Sequence, residues 1–503
     1  MSSDGQFLTD RRKGGNYRKA LARKYELERE SGRTYRLELY ETFDWRIYRK
    51  GLFAYSSGGL LTVGRSLAGP PSLTCVVVAA VPRFWWEFED EKARTLLKDM
   101  IGPRALLPLL AVTVDEERYN VRNRDGKTIC RLSFVSRNAV RGPARSYLSI
   151  LPLRGYATEA GSMASIAEKV GMDKLPVPLL EDIFLAGGRK PGDYSSKLDI
   201  RLGRKMTISE AVVLIDQRLL STIRANIQGV IEDYDTEFLH DLRVATRRTR
   251  ACLSQLKEAL PPEASKHTED LRSVAQGCNE LRDLDVYLLE KESYYKFLPE
   301  HLCTGLDQYF RYVARKRVRL NREFSAYLQS DEFGSLLRDW EAFLKDPKSL
   351  VNDSPAARVA RAKIRDRFQK IIKKGRKIDD STPNSALHAL RIECKKLRYL
   401  LEFFQSYYPQ KKMNELISYL KKLQDNLGEF NDLTVQQNDL KAYMRTSKSK
   451  ANAQMRDAAT GGLLTVLNNR QTEVRKEFYR RFAGFDSEEN RSLYKELFGQ
   501  RDA

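Results

Sequence analysis

The sequence has little of what metal sites, disulfide frameworks and membrane spans require. Its 503 residues include four histidines and six cysteines, and no two cysteines form a C-x-x-C pair. This usage fits reduced thiols in a cytosolic protein better than a disulfide framework or a structural zinc site. The longest apolar runs, Leu73–Val81 and Ala105–Val114, are far shorter than the roughly 20 residues of a membrane helix. No apolar segment of a secretory signal is visible at the N-terminus. We therefore expect a cytoplasmic protein without metal, cofactor or membrane partner.

Positive charge is what the sequence has in excess. Lys and Arg number 88 against 67 Asp and Glu, which gives a net charge of +21, while the 42% hydrophobic fraction is typical of a folded protein. Such an excess indicates an anionic partner, for example nucleic acid or polyphosphate. Because the excess is shared almost evenly between the two halves of the chain, a binding site must depend on the local arrangement of charges.

The two parts of the chain differ in their hydrophobic pattern. Between about 35 and 155, short apolar runs alternate with turn residues, and Asp125-Gly126 is typical of a hairpin turn. From Thr207 onward the pattern predicts long amphipathic helices. The fold class is therefore α+β multidomain, β-rich first and all-α second. The predicted segments are a charged N-terminal segment (1–30), a β-rich domain (31–175), a linker (176–204) and an all-α domain (205–503).

The helical part contains a duplicated motif. The two copies are LHDLRVATRRTR at 239–250 and LHALRIECKKLR at 387–398, and both continue into an apolar stretch that ends in proline. Each copy is followed by a helix with an acidic turn, NELRDLDV at 279–286 and DNLGEFNDL at 425–433. The spacing is too long for a solenoid and predicts two similar, pseudo-symmetric helical bundles. The predicted repeats cover about 207–345 and about 355–500.

Each copy of the motif carries a row of basic side chains headed by a histidine. Positions i, i+3, i+7 and i+10 of a helix share one side, and in both copies they are one His and three Arg or Lys. A single basic row is usually a solvated face, but a row that recurs in register and uses two of the four histidines favours a binding site. The predicted site residues are His240, Arg243, Arg247, Arg248 and Arg250 in the first copy, and His388, Arg391, Lys395, Lys396 and Arg398 in the second.

Other charged positions are less specific. Two more predicted helices have basic faces, for which a solvated surface and a secondary binding surface are equally consistent with the sequence. These faces are Arg311, Arg315, Arg319 and Arg322, and Lys363, Arg367, Lys370 and Lys374. The acids of the two turns either hold the cations in place or cap helices; they are Asp283, Asp285, Glu429 and Asp432. No nucleophile–base pair, P-loop or metal cluster is evident in the helical half, so we predict no catalytic residue.

The repeated motif resembles the signature of the CHAD domain, the conserved-histidine α-helical domain, over roughly residues 207–500. The resemblance implies two four-helix bundles around a basic groove or pore, and binding of inorganic polyphosphate by the ten residues of the two rows. On this basis we expect a non-enzymatic polyphosphate-binding protein in the cytoplasm, associated with polyphosphate granules.

The N-terminal part resembles CYTH domains, the triphosphate-tunnel fold. The similarity lies in YETFDWRIYRKGL at 40–52 and in SYLSILPLRGY at 146–156. Catalytic CYTH domains open with Glu-x-Glu-x-Lys, whereas the nearest segment here, Glu26–Glu30, ends in an acid. We therefore expect a degenerate CYTH-like domain that lacks the metal-dependent chemistry.

Two alternatives stay open at this point. One is a CYTH-type, metal-dependent triphosphatase or polyphosphate-processing enzyme, in which the helical part recruits the substrate. The other is a nucleic-acid-binding protein, although the two motif helices lack the interleaved aromatic and basic residues that stack bases.

Overall fold

The computed structural model describes residues 5–67, 71–77, 80–138, 144–446 and 453–499. The remaining residues, which include parts of the predicted N-terminal segment and of both predicted domains, lie outside the described residues. The chain divides into two compact units, Met1–Ser195 and Ser196–Ala503. In the described ranges, no helix combines the length and the apolar character that a membrane span requires.

The first unit is built on an antiparallel β-sheet. Its described strands are β1 (Gln6–Thr9), β2 (Glu26–Glu41), β3 (Phe53–Ser57), β4 (Leu60–Gly64), β5 (Pro71–Val76), β6 (Leu107–Arg122), β7 (Thr128–Asn138), β8 (Arg145–Pro152) and β9 (Asp173–Lys174). Their order in the sheet is β5-β4-β3-β2-β6-β7-β8-β1-β9. Its helices are α1 (Arg11–Leu21), α2 (Glu91–Ile101), α3 (Ala157–Lys169) and α4 (Leu179–Ala186).

Alternation of side chains builds the core of this unit. Leu37 and Leu39 of β2 are buried, and they pack in one cluster with Val112 and Val114 of β6, because successive side chains of a strand point to opposite faces. The predicted turn at Asp125-Gly126 joins β6 to β7, and Gly126 has a φ of +72°, which only glycine adopts readily.

Two segments that the sequence places at the margins of the β-rich domain belong to its core. Within the predicted charged segment 1–30, β1 pairs with β8, and Tyr17 and Leu21 of α1 are fully buried. Within the predicted linker 176–204, α4 buries Leu180 and Ile183. Both helices have an apolar stripe at helical spacing, but their basic, glycine and proline neighbours dominate the local composition.

The second unit is helical. Its described helices are α5 (Ile208–Ile231), α6 (Thr236–Gln255), α7 (Ala264–Leu289), α8 (Lys291–Lys296), α9 (Glu300–Leu328), α10 (Asp331–Lys345), α11 (Ala356–Gly375), α12 (Asn384–Phe404), α13 (Gln410–Thr446), α14 (Ala453–Phe485) and α15 (Glu488–Phe498). An antiparallel sheet domain followed by an all-helical region confirms the predicted fold class.

The helices of this unit follow the predicted duplication. In the first half α6 packs on α5 and α7, α9 packs on α7, and α10 packs on α5. In the second half α12 packs on α11 and α13, α14 packs on α13, and α15 packs on α11. A fifth helix, α10 or α15, thus joins each set of four that the resemblance implies. The two motif helices, α6 and α12, contact each other, so the halves meet at equivalent positions.

Gly229 of α5 and Gly461 of α14 are helical glycines in different surroundings. A Cβ at Gly229 would overlap the buried ring of Phe238, whereas a Cβ at Gly461 would meet nothing within 4 Å beyond its own helix. We expect Gly229→Ala to lower the free energy of unfolding by about 1–3 kcal/mol. We expect Gly461→Ala to raise it by up to about 1 kcal/mol, because alanine is the better helix former. Urea unfolding followed by circular dichroism measures both, and equal effects would contradict the packing of α5 on α6.

Candidate functional site

The helical unit contains a cavity of about 1360 Å³. It is lined by α6, α7, α8 and the residue after α8 from the first half, and by α12, α13 and α14 from the second half. The segments Arg282-Asp283-Leu284 and Asn431-Asp432-Leu433 correspond, as do the two motif copies. Equivalent lining positions are Arg243 and Arg391, Arg247 and Lys395, Asp283 and Asp432, and Val286 and Val435. Both halves therefore contribute matching positions to one cavity.

Local sequence determines how α6 and α12 present these side chains. Asp235 accepts hydrogen bonds from the backbone N–H groups of Glu237 (2.9 Å) and Phe238 (3.3 Å), and so it caps the start of α6. Leu239 and Leu242 are buried in the bundle, which turns the adjacent side of α6, with His240, Arg243 and Arg247, toward the cavity. A buried stripe likewise orients α12 so that Arg391 and Lys395 line the cavity. This stripe consists of Leu387, Leu390, Cys394 and Leu397.

Four cations from the two halves converge in the cavity. Arg243 Nε donates a hydrogen bond of 2.7 Å to Asn279 Oδ1, and Arg391 Nη2 lies 3.4 Å from Asp432 Oδ1. Among the residues that the structure describes, no carboxylate oxygen lies within 4.0 Å of the charged nitrogens of Arg247 or Lys395. Arg247 and Lys395 therefore have no close carboxylate of their own, although acidic residues line other parts of the cavity.

The pKa values of the basic groups reflect this crowding. Burial, followed by repulsion from Arg247, lowers the pKa of Arg243. Burial lowers the pKa of Lys395 to about 6, and repulsion from Arg247, Arg391 and Arg243 adds to the shift. The Lys395 amine is consequently largely neutral at pH 7.5, and an anion in the cavity would favour its protonated form. Burial also lowers the pKa of His240.

Several buried polar atoms of the cavity wall lack partners. Within the described part of the chain, Arg391 Nε, Gln424 Nε2 and His240 Nδ1 are buried and form no hydrogen bond. A buried donor without an acceptor costs about 1–3 kcal/mol. Arg391 Nε and Gln424 Nε2 are donors, and His240 Nδ1 donates when its ring is protonated. The wall is therefore suited to a ligand that brings several acceptor oxygens.

Acidic side chains also line the cavity, among them Asp283 and Glu290. Burial raises the pKa of Asp283. Attraction to Arg243 partly offsets this increase, whereas repulsion from Asp439 and Asp432 adds to it. Burial and Asp432 also raise the pKa of Glu290. Both carboxyl groups are therefore protonated more readily than in water.

The other acids of the two predicted turns have defined partners. Glu429 lies 2.7 Å from Arg470 Nη2 at the cavity wall. Asp285 is buried and accepts a hydrogen bond of 2.9 Å from Arg317 Nε. Neither acid caps a helix in this arrangement, and each holds an arginine.

Half of the predicted site residues line the cavity. These five are His240, Arg243, Arg247, Arg391 and Lys395. At about 100° per residue, Arg243 and Arg247 lie within about 60° of His240 around α6, whereas Arg248 and Arg250 lie about 80° to either side. Rotation around the helix places Arg248 off the cavity side, whereas Arg250 lies nearly one turn beyond Arg247 along α6.

The remaining predicted site residues have other surroundings. Arg248 Nη2 and Arg398 Nε each lie 2.8 Å from Glu402. The Nδ1 atom of His388 lies 2.7 Å from Asn431 Oδ1. Arg250 has a buried Nε without a partner, and burial, with repulsion from Arg272, lowers its pKa. Lys396 is half-buried, one turn from Glu393 along α12.

The two secondary basic faces are also outside the cavity wall. On α9 the four arginines are exposed, and Arg319 pairs with Glu323 at 2.8 Å. On α11 Lys363 pairs with Glu258, while the other three cations surround the single buried carboxylate of Glu393. The α9 face is thus exposed to solvent, and the α11 face joins α11 to its neighbours.

Sequence reasoning missed part of the cavity wall. Asn279, Arg282 and Tyr287 of α7 line the cavity, as do Arg470 of α14 and the aromatic residues that follow α7. Asn279 and Arg282 stand in the predicted acidic-turn segment, at the i, i+3 spacing that places them on one side of a helix with Val286. That spacing was a usable signal, whereas Arg470 stands in no motif.

In the sheet unit the segment nearest to Glu-x-Glu-x-Lys lies in β2. Glu28 pairs there with Arg122 at 2.6 Å. The buried carboxylate of Glu116 accepts hydrogen bonds from Arg33, Arg118 and Ser133. In the described ranges, no three His, Cys, Asp or Glu side chains lie close enough together to hold a metal ion.

Comparison with known families identifies the helical unit. The family model of the CHAD domain matches residues 215–441, from within α5 to within α13. The matched residues include both motif helices and most of the cavity wall. The chain therefore contains a CHAD domain, which confirms the predicted resemblance. The β-rich first unit is consistent with the predicted CYTH-like domain, whose assignment stays a prediction.

Two solved structures are similar to this part of the chain. One is the crystal structure of the CHAD domain from the plant Ricinus communis, which is 25% identical and matches 57% of this chain and 96% of that chain, with a TM-score of 0.49. The other is PptA from Streptomyces chartreusis, which is 13% identical and matches 55% of this chain and 99% of that chain, with a TM-score of 0.44. The comparison with curated proteins finds no match.

Lys395→Met tests whether the cation cluster strains the free protein. The substitution removes a buried amine that three arginines repel, so we expect the free energy of unfolding at pH 7.5 to rise by about 1–3 kcal/mol. Between pH 6 and 10.5 the unfolded lysine binds a proton that the folded one does not. Wild-type stability should therefore rise with pH across this window, and the variant should lose that contribution.

Urea unfolding at several pH values measures both effects. The matched control is Lys373→Met on the exposed side of α11, which should leave the stability and its pH dependence nearly unchanged. A destabilised Lys395→Met variant with wild-type pH dependence would contradict the description of the cluster.

Proposed function

We propose that the protein binds inorganic polyphosphate in the cavity between α6–α8 and α12–α14. The observation that carries the proposal is the convergence of Arg243 and Arg247 with Arg391 and Lys395 in one cavity, beside buried donors without partners. The CHAD domain is linked to polyphosphate binding in general. A protein with such a site would be recruited to cytoplasmic polyphosphate granules.

The chemistry of the four cations suits a chain of phosphates. The planar guanidinium group of arginine grips two phosphate oxygens at once, while lysine acts as a point charge. Each phosphate adds negative charge and acceptor oxygens, so a bound chain would relieve the repulsion among the cations and satisfy Arg391 Nε and Gln424 Nε2. Binding of this kind releases counterions and weakens as salt rises.

The volume of the cavity separates polyphosphate from duplex nucleic acid. A space of about 1360 Å³ holds several phosphates in a row, but it does not admit a duplex, whose backbone would contact only the surface. The site therefore favours a thin, flexible polyanion.

A paired charge reversal tests the assignment of the site. We expect Arg243→Glu/Arg391→Glu to bind long-chain polyphosphate about 100-fold more weakly than wild type, because each charged hydrogen bond contributes about 1.5–3 kcal/mol. Arg315→Glu/Arg322→Glu makes the same change of charge on the exposed face of α9 and should bind within about twofold of wild type. Titration calorimetry at fixed salt measures all three. Equal losses in the two variants would show that net charge, and not this cavity, accounts for binding.

Polyphosphate binding should also take up protons. Lys395 is largely neutral in the free protein at pH 7.5, and it faces Arg243, Arg247, Arg391 and Asp432. A bound anion raises its pKa, so affinity should increase as the pH falls from about 8 toward 6. Calorimetry in buffers of different ionisation enthalpy measures the uptake, which Lys395→Gln should reduce. Binding without proton uptake in wild type would exclude Lys395 from contact with the anion.

A further inference from the structure

The cavity has a second end that an inorganic polyphosphate does not use. Tyr294 of α8 and Phe297 after it line this end, with their ring centroids 6.2 Å apart. Phe297 is 48% exposed although it is a large apolar side chain. Val435 and Leu467 are further apolar residues of the cavity wall. A chain of phosphates has no apolar part that could contact this wall.

The Tyr294 hydroxyl gives an independent indication of a ligand. Tyr294 is only 5% exposed, and in the described residues its hydroxyl is buried without a hydrogen-bond partner. The neighbouring Tyr287 differs, because its hydroxyl donates a 2.7 Å hydrogen bond to Asp439. An unpartnered hydroxyl beside an exposed phenyl ring suits a flat group that carries both an aromatic face and polar edge atoms.

The three kinds of side chain follow one another along α7. Asn279, at the level of the cations, holds Arg243. Asp283 comes one turn later, and Glu290 directly follows Leu289, the last residue of α7, before the aromatic residues. At 1.5 Å per residue, α7 covers about 15 Å between Asn279 and Leu289. A ligand that occupies the whole cavity thus meets Arg243 beside Asn279, then Asp283, and then Glu290 and the aromatic rings beyond the end of α7.

We propose that the cavity also accepts nucleoside polyphosphates, with the phosphates on the cations, the ribose hydroxyls on the carboxylates and the base on the aromatic end. This inference rests on the proposed function, because it uses the same cations. Carboxylates accept hydrogen bonds from hydroxyl groups, and Phe297 offers its face to a base. Tyr294 supplies a hydroxyl for an edge atom of the base.

Matched ligands separate the aromatic end from the cationic end. Adenosine triphosphate and inorganic tripolyphosphate have the same number of phosphates, but the nucleotide has less charge. If charge alone determined the affinity, tripolyphosphate would bind more tightly than adenosine triphosphate. We expect the nucleotide to bind the full-length protein at least fivefold more tightly, because its base stacks on an aromatic side chain.

Phe297→Ala should remove this advantage and leave the affinity for tripolyphosphate within about twofold of wild type. Tyr294→Phe, which keeps the ring, should weaken nucleotide binding only. The control Tyr312→Ala removes a partly exposed ring of α9 that does not line the cavity, and it should change neither affinity. Thermal unfolding verifies that each variant is folded.

The outcomes distinguish this inference from the proposed function. Loss of both ligands in Arg243→Glu/Arg391→Glu, with loss of nucleotide alone in Phe297→Ala, supports both. Tripolyphosphate binding without a nucleotide advantage, or an advantage that survives Phe297→Ala, overturns the inference and leaves the proposed function intact. Failure of both ligands to bind wild type overturns both.

Discussion

The helical unit holds four basic side chains together against their mutual repulsion. Arg243, Arg247, Arg391 and Lys395 share one cavity, and repulsion within this set contributes to the lowered pKa of Lys395. Side chains that repel one another separate unless something more favourable fixes their helices. Here that contribution comes from the apolar sides of α6 and α12, which are buried in the bundle. The hydrophobic core therefore stabilises a site that is electrostatically unfavourable in the free protein.

Duplication explains how such a site is divided between its parts. Each motif helix brings two cations to the cavity, and neither half forms the site alone. Because α6 and α12 contact each other, equivalent residues of the two halves approach the same cavity. Other basic residues of the two motif helices form ion pairs outside the cavity. Arg248 of α6 and Arg398 of α12, for example, both pair with Glu402. In the described residues, Arg247 and Lys395 are left without a carboxylate oxygen within 4.0 Å of their charged nitrogens.

The sequence predicts the fold class, the duplication and the basic rows because these features repeat locally. It does not predict which member of a row reaches the cavity, since this depends on helix rotation and on partners far away in the chain. Glu402 is more than a hundred residues from Arg248, and Glu393 binds cations of α11 that appeared free in the sequence. Composition also concealed α1 and α4, because their basic, glycine and proline neighbours outweigh their short apolar stripes.

The two halves match in sequence, yet the cavity that they form is not symmetric. His240 lines it, whereas the equivalent His388 lies against Asn431; Arg282 on one side corresponds to Asn431 on the other. Among the residues that the structure describes, none from the second half matches the aromatic residues after α7 in the cavity wall. A symmetric cavity would serve a ligand with identical ends equally well in either direction. Different groups at the two ends instead favour one direction, and they make the greatest difference for a ligand whose own ends differ in chemistry.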